Sequence, residues 1–190
     1  MYKIAILASG SGTNAENIIK YFGKSTQIKV ELVLSNNNNA FVLKRAAKLN
    51  VETMVFNREM FYKTDKVIDF LNKKNIDFVV LAGFLWLIPN NFVSVFKSKI
   101  INIHPALLPK YGGKGMYGMY VHNAVIENNE KESGISIHHV NEKYDDGSII
   151  FQTKCEISEN DTPELLAQKI HELEYQYFPK VIKKWILESE

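Results

Sequence analysis

The first half of this 190-residue sequence alternates short apolar, β-branched runs with segments of helical periodicity. This alternation is typical of βαβ units, whose crossover helices require a parallel sheet. The run FVVLA has no polar interruption, which indicates a strand covered on both faces. We predict strands at Tyr2–Ala8, Ile28–Leu34, Val51–Phe56 and Phe78–Ala82, and helices at Asn14–Phe22, Phe41–Leu49 and Met60–Lys74.

The second half continues the pattern and then changes it. A strand is predicted at Ile100–His104, followed by a stretch rich in Gly and Pro and a helix that begins near Val121. Two β-rich runs, Gly134–Val140 and Ser148–Ile157, predict a strand pair. A final helix is predicted over Pro163–Leu187, because Thr162 is a favourable N-cap and proline is favoured at the first helical position. With no linker or repeat, we expect one α/β domain over residues 1–190, with a mostly parallel central sheet and helices on both faces.

Composition excludes several classes of function. Lys and Arg number 23 against 21 Asp and Glu, and this balance does not provide the basic face that nucleic-acid binding requires. No stretch approaches the roughly 20 apolar residues of a membrane span. The N-terminal apolar run is too short for a signal sequence, and the single Cys155 excludes an intrachain disulfide. We therefore expect a cytoplasmic protein that acts on small molecules.

A glycine-rich loop joins the first predicted strand to the first predicted helix. It reads Ala8-Ser-Gly-Ser-Gly-Thr-Asn-Ala15. Glycines allow a tight turn and bring backbone N–H groups close to an anion at a helix N-terminus. The spacing also fits the dinucleotide fingerprint G-x-G-x-x-A, but Ser35–Asn39 stands where that fingerprint needs an acidic residue. We favour a phosphate or phosphoribosyl site over a dinucleotide site or a purely structural turn.

An amide and an imidazole project together from the strand at Ile100–His104. Because strand side chains alternate, Asn102 and His104 share one face, and Pro105 ends the strand. The carboxyl ends of strands in open α/β sheets are where ligands bind. Asn can donate to a developing oxyanion, and His can exchange a proton near neutral pH. A structural polar cap is the alternative interpretation.

An acidic loop, Asn141–Gly147, connects the two predicted C-terminal strands. Paired acids before Gly are usual in solvated turns, but a carboxylate beside an imidazole can also relay protons. His138 falls on the Ser136 face of the preceding strand, where it could brace such a site. We find no metal-ligand spacing and therefore expect no metal.

Together, the segments ILASGSGTN, VLSNNNNA, LAGFLWLIP, INIHPALLPKY and the DDG loop resemble the phosphoribosylglycinamide formyltransferases, over nearly the whole chain. HPALLP by itself resembles the wider group of enzymes that use 10-formyltetrahydrofolate. The SGSGTN loop and the total length narrow the resemblance to the phosphoribosylglycinamide formyltransferases. The resemblance implies a Rossmann-like formyltransferase fold with a phosphate-binding half at about 1–100 and a folate and catalytic half at about 101–190. It also implies formyl transfer from 10-formyltetrahydrofolate to the amine of 5′-phosphoribosylglycinamide, a step of purine biosynthesis.

The resemblance also implies roles for individual residues. It implies a catalytic trio of Asn102, His104 and Asp145. Residues implied to bind phosphoribosylglycinamide are Gly10, Ser11, Gly12, Thr13, Asn14 and Glu174, and residues implied to bind the folate are Arg58, Leu85, Trp86, Leu87, Ile88, Asn102, Asn141, Glu142, Lys143, Tyr144 and Asp145.

In the mechanism that we expect, the substrate amine attacks the formyl carbon, and Asn102 and a protonated His104 stabilise the oxyanion. Asp145 would keep His104 protonated and help to move the proton to the leaving nitrogen. One departure from the family pattern is the stretch Gly112–His122, which is longer and richer in glycine than expected. Its role, the protonation state of His104 and the choice between monomer and homodimer stay open.

Two other functions remain as alternatives. A related folate enzyme, either a deformylase or another formyltransferase, would use the same catalytic segment, but such relatives usually carry an additional domain. A nucleotide-sensing module would use only the glycine loop, and gives no reason for Asn102 and His104 to share a face.

Overall fold

The computed structural model describes residues 1–189, which form a single seven-stranded sheet with helices on both faces. The strands are β1 Tyr2–Leu7, β2 Ile28–Ser35, β3 Glu52–Val55, β4 Phe78–Leu81, β5 Ile100–His104, β6 Glu132–His139 and β7 Ile149–Glu156. The helices are α1 Thr13–Phe22, α2 Phe41–Lys48, α3 Arg58–Tyr62, α4 Lys66–Lys73, α5 Asn90–Val95, α6 Met119–Glu127 and α7 Pro163–Leu187.

The strand order positions the carboxyl ends of the central strands around one crevice. The order is β3-β2-β1-β4-β5-β6-β7. Strands β1 to β5 pair in parallel, and β6 pairs antiparallel with both β5 and β7. The chain runs outwards from β1 to β3 and then returns to place β4 on the other side of β1. Such a reversal leaves a crevice beyond the carboxyl ends of the two neighbouring strands, where ligands of α/β proteins bind.

Both faces of the sheet are buried. Along β1, Ile4 and Ile6 pack into one hydrophobic cluster, and Ala5 and Leu7 pack into another on the opposite face. The first cluster includes residues of α1, α2, α6 and α7, and the second includes residues of α3, α4 and α5. This two-sided burial explains why β1 and β4 are apolar at nearly every position.

The predicted helix over Met60–Lys74 is wrong, because the structure has two helices there. Helix α3 ends at Tyr62 and α4 begins at Lys66. Between them, the Thr64 hydroxyl donates to the Met60 carbonyl at 3.1 Å and accepts from the Lys66 N–H at 3.4 Å. A hydroxyl that binds nearby backbone groups competes with the helical ladder, which explains the interruption.

Helix α5 was not predicted. It has six residues, begins after Pro89 and contains two asparagines, which are weak helix formers. Phe92 is buried and its ring lies 5.7 Å from that of Phe61, so tertiary packing stabilises this helix. The final helix, by contrast, has the predicted bounds, and the Thr162 side chain accepts from the Leu165 N–H.

Candidate active site

Four polar side chains meet beside the carboxyl end of β5; we call Asn102, His104, His138 and Asp145 the polar corner. The Asn102 Nδ2 lies 3.1 Å from the His138 Nε2 and donates to the Asp145 Oδ1 at 3.3 Å. His104 and His138 are both buried. The structure therefore brings the predicted trio together and places His138, the predicted brace, beside it.

The carbonyl partners of the two imidazoles define their tautomers, because a carbonyl oxygen can only accept a hydrogen bond. The His138 Nδ1 donates to the His139 carbonyl at 2.8 Å, so in the neutral ring its Nε2 accepts from Asn102. The His104 Nε2 donates to the Tyr111 carbonyl at 2.7 Å. In the neutral ring, the His104 Nδ1 therefore carries a lone pair, and it faces the Asp145 Oδ2 at 3.5 Å.

Burial lowers the pKa of His104 below its usual value, and the opposing effect of the Asp145 charge is smaller. Burial alone would raise the pKa of Asp145, but the contacts with His138 and His104 and the Gly113 N–H hold it below its usual value. Near pH 7 the polar corner therefore combines a neutral His104 ring with a charged Asp145 carboxylate. Our expectation that Asp145 keeps His104 protonated is corrected, because desolvation of the buried His104 ring lowers its pKa by more than the Asp145 charge raises it.

The glycine-rich stretch Gly112–His122 forms a wall of the same site. The Gly113 N–H donates to the Asp145 Oδ2 at 2.9 Å. A Cβ atom on Gly112 would lie 2.5 Å from a methyl carbon of Leu108 and 3.3 Å from the Cβ of Asp145, so this position requires glycine. Gly112 thus allows this wall to approach Asp145 closely.

The glycine loop between β1 and α1 has the geometry of an anion site. Gly12 caps α1 with a positive φ of 74°. The Gly10 and Ser11 carbonyls accept from the Val42 N–H and the Arg45 Nε, so they are held towards α2. The first N–H groups of a helix have no intrahelical partner, and Gly12 provides no side-chain cap for those of α1, which is the arrangement that suits an anion.

Glu174 connects this loop to helix α7. Its carboxylate is buried, and its Oε2 accepts from the Asn14 Nδ2 at 2.8 Å and faces the His171 Nδ1 at 2.9 Å. The hydrogen bond to Glu174 raises the pKa of His171, against the effect of burial. A half-exposed imidazole that is protonated more readily than an ordinary histidine therefore lies beside the loop. We call residues 10–14 with His171 and Glu174 the glycine-loop end.

One cleft of about 520 Å³ joins the glycine-loop end to the polar corner. A second cavity, of about 560 Å³, lies at the other end of the strands, beside the start of β4 and β5, and contains none of the predicted site residues. The cleft is lined by Gly10 to Asn14, Ala82 to Leu85, Asn102 to Pro105, Gly113 to Gly118, His122, Tyr144, Asp145, His171 and Glu174.

The residues predicted for the folate are only partly gathered at this cleft. Leu85 and Tyr144 line it, together with Asn102 and Asp145. Arg58 lies outside the lining and stacks over the Trp86 ring at 4.7 Å. The remaining predicted residues are also outside the lining: Leu87 accepts from the Tyr62 hydroxyl through its carbonyl, Ile88 is buried in the core, and Asn141, Glu142 and Lys143 lie on the loop before Tyr144.

Two histidines of the cleft were missed as site residues. His122 is 2% exposed, its Nδ1 has no hydrogen-bond partner within residues 1–189, and burial with the charge of His171 lowers its pKa to about 4. His171 is bonded to Glu174 three positions along the helix. That i, i+3 spacing of a histidine and a glutamate could have identified His171 from the sequence. The sequence near His122 contains no comparable signal.

Comparison with known proteins defines the class of this site. Residues 2–182 match the family model described as "Formyl transferase". The chain therefore belongs to the formyl transferase family, which implies a folate-derived formyl donor.

Within residues 1–189 no helix has the length and apolar character needed to cross a bilayer, and no cluster of three or more potential metal ligands occurs.

The individual relatives are more specific. The chain is 38% identical to the phosphoribosylglycinamide formyltransferase of Haemophilus influenzae, over 100% of this chain and 89% of that protein. It is also 38% identical to the chloroplastic phosphoribosylglycinamide formyltransferase of Arabidopsis thaliana, covering 95% of this chain and 64% of the relative. The crystal structure of the phosphoribosylglycinamide formyltransferase from Bacillus halodurans superposes with a TM-score of 0.88 at 34% identity, covering 99% of this chain and 97% of that one.

These matches confirm the predicted fold class and the resemblance drawn from the sequence motifs. These relatives and this solved structure are named phosphoribosylglycinamide formyltransferases, and the chain spans 64% of the length of the Arabidopsis relative.

Proposed function

We propose that this protein transfers a formyl group from 10-formyltetrahydrofolate to the amine of 5′-phosphoribosylglycinamide, giving 5′-phosphoribosyl-N-formylglycinamide and tetrahydrofolate. The observation that carries this proposal is one cleft with a phosphate-type loop at one end and an Asn–His–Asp corner at the other. The names of its relatives agree with the reaction.

The substrate's phosphate binds at the glycine-loop end. The N–H groups at the start of α1 and the positive end of its dipole favour an anion, and the His171 imidazolium adds charge. The buried Glu174 carboxylate accepts hydrogen bonds from the ribose hydroxyls or the amine. Holding both substrates in reactive geometry supplies a large part of the barrier reduction.

At the polar corner the amine nitrogen attacks the formyl carbon, and the carbonyl electron pair moves to oxygen. The Asn102 side chain has two N–H groups. The one that donates to Asp145 at 3.3 Å leaves that contact and donates to the oxyanion. One such donor is typically worth about 3 kcal/mol. The amine proton passes to the His104 Nδ1, where the Asp145 carboxylate stabilises it, and then to the folate nitrogen as the carbon–nitrogen bond to the folate breaks.

The pterin end of the folate lies between the segment after β4 and the loop before Asp145. Leu85 and Tyr144 are the predicted contacts that already line the cleft. Arg58, held on Trp86, extends the site towards the more distant part of the cofactor. We further propose a single cytoplasmic domain over residues 1–190, of which residue 190 lies outside the described residues, and a monomer or homodimer.

The test is an absorbance assay for tetrahydrofolate production, run with and without phosphoribosylglycinamide. We expect turnover only when phosphoribosylglycinamide is present. Turnover without it would support a deformylase, and no turnover in either case would leave the nucleotide-sensing module as the better interpretation. Asp145→Asn, compared with Asp146→Asn, shows whether any turnover arises at the polar corner.

A further inference from the structure

The carbonyl that defines the His104 tautomer belongs to a residue with an unusual backbone. Tyr111 has a φ of +56°, a left-handed conformation that residues with a Cβ atom rarely adopt. Such a conformation persists only where surrounding contacts hold it. The Tyr111 ring packs against the first hydrophobic cluster, and its hydroxyl donates to the Glu130 Oε1 at 2.9 Å.

Glu130 lies between α6 and β6, nineteen positions along the chain from Tyr111. Its Oε1 also accepts from the Lys110 Nζ at 2.9 Å, so one carboxylate holds two consecutive residues of the turn. The hydrogen bonds from Lys110 and Tyr111 lower the pKa of Glu130, so it is ionised near pH 7. A hydrogen bond to a charged acceptor is stronger than one between neutral groups.

We propose that Glu130 is a positioning residue that acts through Tyr111 on His104. The Glu130 carboxylate holds the Tyr111 side chain, and the Tyr111 carbonyl then holds the proton of His104 on Nε2. The His104 Nδ1 is thereby kept open to receive a proton beside Asp145. This inference rests on the proposed function only for its kinetic consequence.

The alternative tautomer has a clear reason to form when this support is removed. The Asp145 Oδ2 lies 3.5 Å from the His104 Nδ1, and a carboxylate attracts a proton placed on that nitrogen. Without the Tyr111 carbonyl on Nε2, the Nδ1–H tautomer is therefore favoured. That tautomer has no lone pair at Nδ1 and cannot accept the proton from the attacking amine.

The experiment measures the His104 tautomer by ¹⁵N NMR of the imidazole nitrogens, alongside kcat, in Glu130→Ala and Tyr111→Phe. We expect Nε2–H in the wild-type protein and a shift towards Nδ1–H in both variants. The expected fall in kcat is about tenfold, the factor for losing one hydrogen bond to a charged group. Glu130→Gln should restore most of the Nε2–H tautomer and of kcat, because its amide oxygen still accepts from the Tyr111 hydroxyl.

Lys110→Ala is the matched control, because it removes the other partner of the same carboxylate and leaves the Tyr111 bond in place. It should keep the wild-type tautomer and kcat. Unchanged His104 spectra and kcat in both Glu130→Ala and Tyr111→Phe would overturn the proposal. If Glu130→Ala does not fold, Tyr111→Phe decides, since it removes a single oxygen atom. If the wild-type protein shows no formyl transfer, the proposed function fails, and the tautomer measurement still decides the role of Glu130.

Discussion

The two ends of the cleft are built in different ways. The glycine-loop end takes most of its groups from one short stretch, residues 10–14, and from backbone N–H groups rather than side chains. The polar corner draws side chains from β5, β6 and the loop before β7, and is closed by the backbone of Gly113.

This difference predicts two kinetic signatures. In the proposed reaction the glycine-loop end binds parts of the substrate that do not react, so changes there should alter KM. The polar corner acts in that proposal on the atoms that react, so changes there should alter kcat. Of the four predictions that follow, the first and the last test this kinetic division, and the two between them compare the stability of the cleft. They run from the largest expected effect to the smallest.

The largest effect is expected for Asp145→Asn. The asparagine retains an acceptor for the Gly113 N–H but loses the charge that stabilises a proton on His104. We expect kcat to fall about 10²–10⁴-fold, the range for losing general acid–base catalysis, with folate affinity nearly unchanged. Steady-state kinetics and folate titration measure both quantities.

The control is Asp146→Asn, because Asp146 is the next residue, is exposed, and its carboxylate bonds to Asn141 and Lys143 on the same loop. It should leave kcat within about twofold of the wild-type value, since surface pairs contribute little. Equal losses in the two variants would show that the loop as a whole, rather than Asp145, supports turnover.

Gly12→Ala should destabilise the fold at the glycine-loop end. A Cβ atom on Gly12 would lie 2.3–2.7 Å from Val42 atoms, including the backbone Cα, and φ is +74°. Left-handed backbone and overpacking together are expected to cost about 2–5 kcal/mol. Urea unfolding measures the free energy of unfolding.

Gly10→Ala provides the comparison, because a Cβ atom there meets nothing within 4 Å and φ is not positive. Its free energy of unfolding should stay within about 0.5 kcal/mol of the wild-type value. Similar losses in both variants would mean that the loop needs glycine for backbone freedom in general, not for the close approach to α2.

The third prediction concerns pH and His122, which lies in the cleft between the two ends. Its pKa in the folded protein is about 4, compared with an ordinary 6.5, so the folded state favours the neutral ring. The stability contributed by this ring is complete above pH 6.5 and falls as the pH decreases towards 4. From pH 7 to pH 5 the loss is about 2 kcal/mol.

His122→Gln should remove that part of the pH dependence, as measured by urea unfolding at the two pH values. His171→Gln is the control of opposite sign. Glu174 raises the pKa of His171, so that residue contributes stability below pH 6.5 and loses it as the pH rises through its folded pKa. Removing it from the His122→Gln variant, where its charge no longer acts on His122, should make acidification more destabilising. A His122→Gln variant with the wild-type slope would assign the pH dependence to other groups.

The smallest effect is expected for Glu174→Gln. The amide cannot hold the His171 proton as a carboxylate does, and it accepts hydrogen bonds more weakly. KM for phosphoribosylglycinamide should rise about tenfold with kcat little changed, as for the loss of one charged hydrogen bond. Glu172→Gln, an exposed change on the same helix, should alter neither constant. A fall in kcat without a change in KM would contradict the division between the two ends.

Local sequence patterns predicted most of the fold. The bounds of β5 and α7 agree with the structure, because a strand ended by proline and a helix begun by Thr162-Pro163 depend on neighbouring residues. The two errors occurred where tertiary contacts or side-chain competition decide. Thr64 interrupts the helix predicted over 60–74, and burial of Phe92 stabilises a short helix that has weak intrinsic propensity.

The candidate site follows the same division. Alternation along β5 placed Asn102 and His104 together, and the resemblance added Asp145. Neither could identify His122, whose unusual pKa comes from burial, or Glu130, which reaches His104 only through Tyr111.

The sequence by itself determined the parallel sheet, the glycine loop and the pairing of Asn102 with His104, because backbone periodicity and turn chemistry act over a few neighbouring residues. Only the tertiary structure decided which atom of His104 carries its proton and that this ring is neutral near pH 7. Both properties depend on desolvation and on two groups that local periodicity does not place, the Tyr111 carbonyl and the Asp145 carboxylate. Folding brings these groups to opposite sides of one buried imidazole.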